Sequence, residues 1–215
     1  RVIVVGAGKA SARMAEAVES VWGPCEGLVI TRYGYARPTP GVELVEASHP
    51  VPDAAGQQAT ARMLDLLESL GEDDFVLALI SGGGSALLGA PAGGRTLDDK
   101  KAVNRALLES GAPIGQMNVV RKHLSRVKGG QLDAAAYPAK MLTRMISDVP
   151  GDDPGDIGSG ATVGEVSTAA DALSVVSKYK IDLPASAKAV LAGGGSVVPP
   201  GDIRLSRVEN RVISA

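Results

Sequence analysis

Phe75-Val-Leu-Ala-Leu-Ile80, running straight into Ser81-Gly-Gly-Gly-Ser85-Ala-Leu-Leu88, is the stretch that decides the fold. Apolar residues in unbroken succession predict a strand buried on both faces, as in a parallel sheet. The glycines that follow allow a ligand close to the backbone, and Ser85 is placed to N-cap a helical turn beginning at Ala86. N–H groups bunched at a helix start cradle an anion, most often phosphate. The alternative is a tight turn with no ligand, although three glycines exceed what such a turn needs.

The same order of strand, glycine turn and helix occurs upstream. Val2-Ile-Val-Val5 leads into Gly6-Ala-Gly8-Lys9-Ala-Ser11. Ala15, Val18, Val21 and Trp22 then recur at helical spacing, with Arg13, Glu16 and Glu19 expected on the opposite side. Ser11 stands where a dinucleotide fingerprint has its third glycine, and the next strand, Gly27–Thr31, ends on Arg32 instead of the acid that would grip a ribose hydroxyl. An arginine there suits an NADP phosphate, so a reductase stays open. Lys9 has two readings, a phosphate contact as a point charge or a solvated lysine at a helix start.

Further strands are expected over Val42–Ala47, Ala139–Ile146 and Val208–Ile213. Helices are expected over 54–70 with Asp53 as N-cap, over 98–110, from Met117 towards Gly130, over 132–136, from a Ser167 cap through Tyr179, and over 184–191. In the Met117–Gly130 segment, Asn118, Arg121, Lys122 and Ser125 fall on one helical face, a set of donors without a carboxylate that suits an anion. A solvated face is the alternative. His49, in the rigid loop Ser48–Asp53, is read as either a substrate contact or loop packing. Ser147-Asp148-Val-Pro-Gly151-Asp152-Asp153-Pro-Gly-Asp156 follows a strand. Its acids either lie exposed, hold Mg²⁺ or take a proton from a substrate hydroxyl.

Composition narrows the classes. With 215 residues, 45% of them hydrophobic and 21% charged, the chain can build one large domain or two small ones. A net charge of −2 without a basic run disfavours duplex nucleic acid. No apolar run reaches a membrane span, no signal peptide precedes Arg1, and the single Cys25 fits a reducing compartment, so a cytoplasmic protein is expected.

Strands alternating with helices predict an α/β fold: a Rossmann-like three-layer αβα sandwich on a mostly parallel sheet. Lys9, the glycine cradle and the Asp148–Asp152 loop then share the rim at the strands' C-terminal ends, a parts list for phosphoryl transfer. Neither a P-loop nor a Gly-x-Ser-x-Gly elbow occurs. Motifs in order complete the picture: Val5-Gly-Ala-Gly-Lys-Ala10, Ser48-His-Pro-Val-Pro-Asp53, Ser81–Leu88, Asn118-Val-Val-Arg-Lys-His-Leu-Ser125, Lys128-Gly-Gly130 and Ser147-Asp-Val-Pro-Gly-Asp152. Together they resemble the glycerate 2-kinase family, some of whose members are labelled hydroxypyruvate reductase. The resemblance implies transfer of the ATP γ-phosphoryl group to the 2-hydroxyl of D-glycerate with Mg²⁺. It implies catalytic roles for Lys9, Asp148 and Asp152, the two acids also as metal ligands. Anion contacts are expected at Gly8, Ser81, Gly82, Gly83, Gly84, Ser85, Asn118, Arg121 and Lys122. The chain is expected to be the N-terminal domain of a two-domain kinase, without the leucine-rich C-terminal domain, unable to turn over alone and open to forming a homodimer. Ala161 departs from the family pattern, which has proline there. An NADP-dependent hydroxypyruvate reductase and a non-catalytic anion-binding module are the alternatives.

Overall fold

The computed structural model describes residues 1–214. Six strands form one sheet, β1 (Val2–Ala7), β2 (Glu26–Arg32), β3 (Glu43–Ala47), β4 (Phe75–Ser81), β5 (Lys140–Ile146) and β6 (Val208–Ser214). Every neighbouring pair is parallel, in the order β3-β2-β1-β4-β5-β6. The expected α/β architecture is therefore present, with the sheet parallel throughout.

The unbroken apolar runs are explained by burial on both faces. Ile3, Val5, Ala78 and Ile80 point to one face, against Met63 and Leu67 of α2 (Ala54–Glu68) and Leu132 of α6 (Gln131–Ala136). Val4, Leu77 and Leu79 point to the other, against Met14 and Ala15 of α1 (Ser11–Trp22). A second core lies apart from the sheet. It joins α4 (Leu97–Glu109), α5 (Ile114–His123), α7 (Ala169–Lys178) and α8 (Ala185–Ala192) through Leu107, Val120, Ala172 and Leu191. The short α3 (Gly84–Leu87) follows β4 directly.

Several local expectations are corrected. Gly83, at φ +84°, is the N-cap of α3, so Ser85 lies inside the helix. Helix α5 stops at His123, because Leu124 leaves helical geometry, and Gly129 and Gly130 both take positive φ before α6 begins. Ser125 therefore stands outside the helix, bridged to Pro91. Thr168, not Ser167, caps α7, and Asp171 returns the bond to complete a capping box.

On α1, Val21 and Trp22 are exposed, while Glu19 is buried at 6% exposure. Its Oε1 accepts the N–H groups of Cys25 (2.7 Å), Gly41 (3.0 Å) and Val42 (2.8 Å), fastening the loops around β2 to the helix. Glu19→Ala strands all three donors. It is expected to cost about 3 kcal/mol in denaturant unfolding, since bonds to a charged acceptor contribute about 1.5–3 kcal/mol each and water recovers part. Glu19→Gln, which keeps one acceptor oxygen, is expected to lose less.

Candidate functional site

The sheet order reverses between β1 and β4, which makes the rim above these two strands the switch point where ligands bind in such sheets. The two turns there are tied to each other. Lys9 N–H donates to the Gly82 carbonyl at 2.9 Å and Ala10 N–H to Ser81 Oγ at 3.0 Å. Ser81 Oγ also lies 3.0 Å from Ser11 Oγ, and Gly8 N–H donates to Ile30 O at 3.1 Å. The amides of the β1 turn are thus spent inside the protein, and Ser81 is 1% exposed. Gly8 and Ser81, expected to contact an anion, are bonded here within the protein and bind the turns together.

What the rim presents instead is side chains. Lys9 Nζ stands 3.6 Å from Asp148 Oδ2, both side chains nearly half exposed. The Asp148 carboxylate arrives from the end of β5 and lies over Gly82, where a Cβ would come within 2.0 Å of Oδ2. Only glycine leaves that space. His49 completes the group, since a methyl on Gly83 would stand 3.0 Å from its Nε2 and 3.1 Å from Lys9 Cε. Burial, then the charges of Lys9 and Arg32, hold the His49 imidazole below its usual pKa, with Asp148 opposing. Asp152 is not brought to this group. It is exposed at φ +52° on the same loop, and its carboxylate has no hydrogen-bond or ion-pair partner among the described residues.

A cleft of about 330 Å³ opens from Gly83 and His49 towards the helical cluster. Arg95, Lys100, Arg121 and Lys128 line it, with no carboxylate among its lining residues. Lys128 is 4% exposed and donates to Ser85 O at 2.6 Å and Ser85 Oγ at 2.8 Å; the latter also meets Ser159 Oγ at 2.8 Å. Arg121 Nε donates to Asn104 Oδ1 at 3.0 Å and Nη1 to Asn118 Oδ1 at 3.2 Å, so two asparagines aim the guanidinium. Arg95, 6% exposed, donates to the carbonyls of Ala92 (3.0 Å) and Leu124. Burial depresses Arg95 and Arg121. Burial and then Arg95 bring Lys100 down to about 8, while burial and three neighbouring cations hold Lys128 well below the ordinary lysine value. Cations crowded in this way lose hydration that a bound anion would replace.

Of the expected α5 donors, Arg121 reaches the cleft and Asn118 positions it. Lys122 does not: it is buried and pairs with Glu165 at 2.6 Å, a carboxylate supplied by the segment before α7. Arg95 and Lys100 carry no mark in the sequence, because nothing local distinguishes them from ordinary surface cations.

The sequence matches, over residues 1–192, the family described as a domain of unknown function, DUF4147. The chain belongs to the DUF4147 family. A putative hydroxypyruvate reductase of Agrobacterium vitis is 55% identical over 205 residues, covering 94% of this chain and 47% of the relative. The D-glycerate 2-kinase of Thermotoga maritima is 45% identical over 191 residues, 87% of this chain and 46% of the relative. The crystal structure of a glycerate kinase from Thermotoga maritima superimposes on this DUF4147 chain with a TM-score of 0.91 at 42% identity, covering 100% of this chain and 51% of that one. The chain therefore spans about half the length of the curated relatives it matches. No helix among the described residues is long and apolar enough to cross a membrane.

Proposed function

We propose that this chain is the N-terminal Rossmann-like domain of a two-domain D-glycerate 2-kinase, which moves the γ-phosphoryl group of ATP to the 2-hydroxyl of D-glycerate in the cytoplasm. The observation that carries the reading is the Lys9–Asp148 pair at the switch point, beside a cleft whose charged lining residues are all cations. Kinship with enzymes named glycerate kinase supports it. In the transfer, the bond from the substrate hydroxyl oxygen to the γ-phosphorus forms as the β–γ bridging oxygen departs. Lys9 offsets the charge on the transferring group, and neutral His49 takes the hydroxyl proton. Gly82, Gly83, Gly84 and Ser85 form the floor beneath that group.

Mg²⁺ fits Asp148 as a hard oxygen donor, because the one ion-pair partner of this half-exposed carboxylate among the described residues, Lys9, lies beyond hydrogen-bond range at 3.6 Å. Asp152, exposed on the same loop, is the second candidate ligand in this reading. Held there, the ion would supply positive charge against the charge that develops on the transferring phosphoryl group.

The reductase reading has relatives of that name in its favour. Against it, the β1-turn amides on which a dinucleotide pyrophosphate would sit are already bonded to the β4 turn and to β2. The full-length protein is expected to release ADP in a coupled assay only when D-glycerate is present, and to leave NADH and NADPH absorbance flat with hydroxypyruvate. Hydroxypyruvate-dependent oxidation of either cofactor without ADP release would reverse the assignment.

A further inference from the structure

We propose that the cleft lined by Arg95, Lys100, Arg121 and Lys128 seats the polyphosphate chain of the nucleotide, leaving the Lys9–His49 end for D-glycerate. The assignment rests on the kinase reading and decides which substrate lies where. Charge is the first argument. Glycerate brings one carboxylate, which would leave most of these cations unmatched in a partly desolvated cleft, whereas a triphosphate carries several negative charges. Size is the second: about 330 Å³ is far more than a three-carbon acid fills.

Shape adds a third argument. Beside the cations, Pro50, Pro52, Pro91, Val103 and Leu108 line the same cleft and supply apolar surface. Leu108 is 61% exposed at this lip. Cations and apolar side chains in one cleft suit a ligand that has both an anionic chain and a largely apolar base. Direction is the fourth. Gly83 and His49 line the cleft and also stand beside Lys9, so a polyphosphate seated there can present its terminal phosphoryl group to Lys9.

Calorimetry on the full-length enzyme, with inorganic tripolyphosphate, ADP and D-glycerate titrated separately, tests the assignment without turnover. Lys100→Met and Arg121→Met each remove one charge while keeping most of the side chain. Each is expected to weaken tripolyphosphate and ADP about tenfold or more, the usual effect of a lost charge-assisted contact, while D-glycerate affinity holds within about twofold. In steady state the KM for ATP rises and the KM for glycerate does not.

Lys100 feels the charges of Arg95 and Lys128, Lys128 in turn those of Arg121 and Lys122, and Asp99 lies beside Arg95. A bound polyanion raises a lysine held at about 8, so tripolyphosphate binding at pH 8 takes up protons. That uptake appears as heat that varies between non-phosphate buffers of different ionisation enthalpy. It disappears in Lys100→Met, and affinity falls as pH rises above 8. Weakened glycerate with unchanged ADP and tripolyphosphate would overturn the assignment by placing the carboxylate in the cleft. So would wild-type protein that binds no tripolyphosphate. Absence of glycerate-dependent ADP release would defeat the kinase reading alone, because tripolyphosphate binding lost on Lys100→Met would still locate a polyphosphate site.

Discussion

Lys9→Ala is expected to lower kcat about a thousandfold in a coupled ADP-release assay on the full-length enzyme, because phosphoryl transfer depends on fixed charge near the moving group. The structure makes this variant a clean test. Among the described residues the Lys9 ammonium pairs only with Asp148, at 3.6 Å, and its side chain is 41% exposed. An exposed pair of this kind contributes about 0–1 kcal/mol to stability, so the melting temperature is expected to stay within a few degrees. Backbone atoms hold the turn itself through Lys9 N–H to Gly82 O, a bond that any non-proline residue keeps. Lys9→Arg separates charge from geometry: a planar guanidinium above Gly83 crowds His49 and is expected to recover only part of the rate. Wild-type turnover in Lys9→Ala would remove Lys9 from the chemistry, and a large loss of stability would recast it as a structural residue.

Where neighbouring residues determine the conformation, the fold is legible in the sequence. Phe75–Ser81 is apolar throughout because both sheet faces are covered, and Asp53 caps α2 by accepting from Gly56 N–H at 3.0 Å. The Thr168–Asp171 capping box is equally visible in the sequence, yet adjacent Ser167 offers the same hydroxyl chemistry without the returning acid. Legibility fails where a distant residue decides the outcome. Glu19 reads as a solvated helix acid until three loop amides converge on it, and Lys122 reads as an anion donor until Glu165 arrives to neutralise it. The cationic cleft is the extreme case. Arg95 precedes α4, Lys100 lies on it, Arg121 lies on α5 and Lys128 follows it, so only the packing of the helical cluster beside β4 brings them together.

Gly8→Ala is expected to destabilise the protein by roughly 3–5 kcal/mol, the sum of a strained backbone and a steric overlap. Gly8 sits at φ +146°, a conformation that an L-residue rarely adopts. A Cβ there would lie 2.1 Å from Ser81 Oγ and 2.6 Å from the Ser81 carbonyl oxygen. Relief would require β1 and β4 to separate, and these are neighbouring central strands whose turns share the bonds from Lys9 N–H and Ala10 N–H. Each 1 kcal/mol corresponds to about 2–4 °C in a domain of this size, so melting followed by circular dichroism is expected to shift down by about 10 °C. Ser81→Ala alone removes the hydroxyl that accepts from Ala10 and is expected to cost about 1–2 kcal/mol. Combined with Gly8→Ala it does not rescue, because the carbonyl oxygen stays where the methyl group must go. Full recovery in the double variant would show that the hydroxyl alone excluded the side chain. Unchanged stability in Gly8→Ala would mean that the two turns are not packed as closely as this geometry has them.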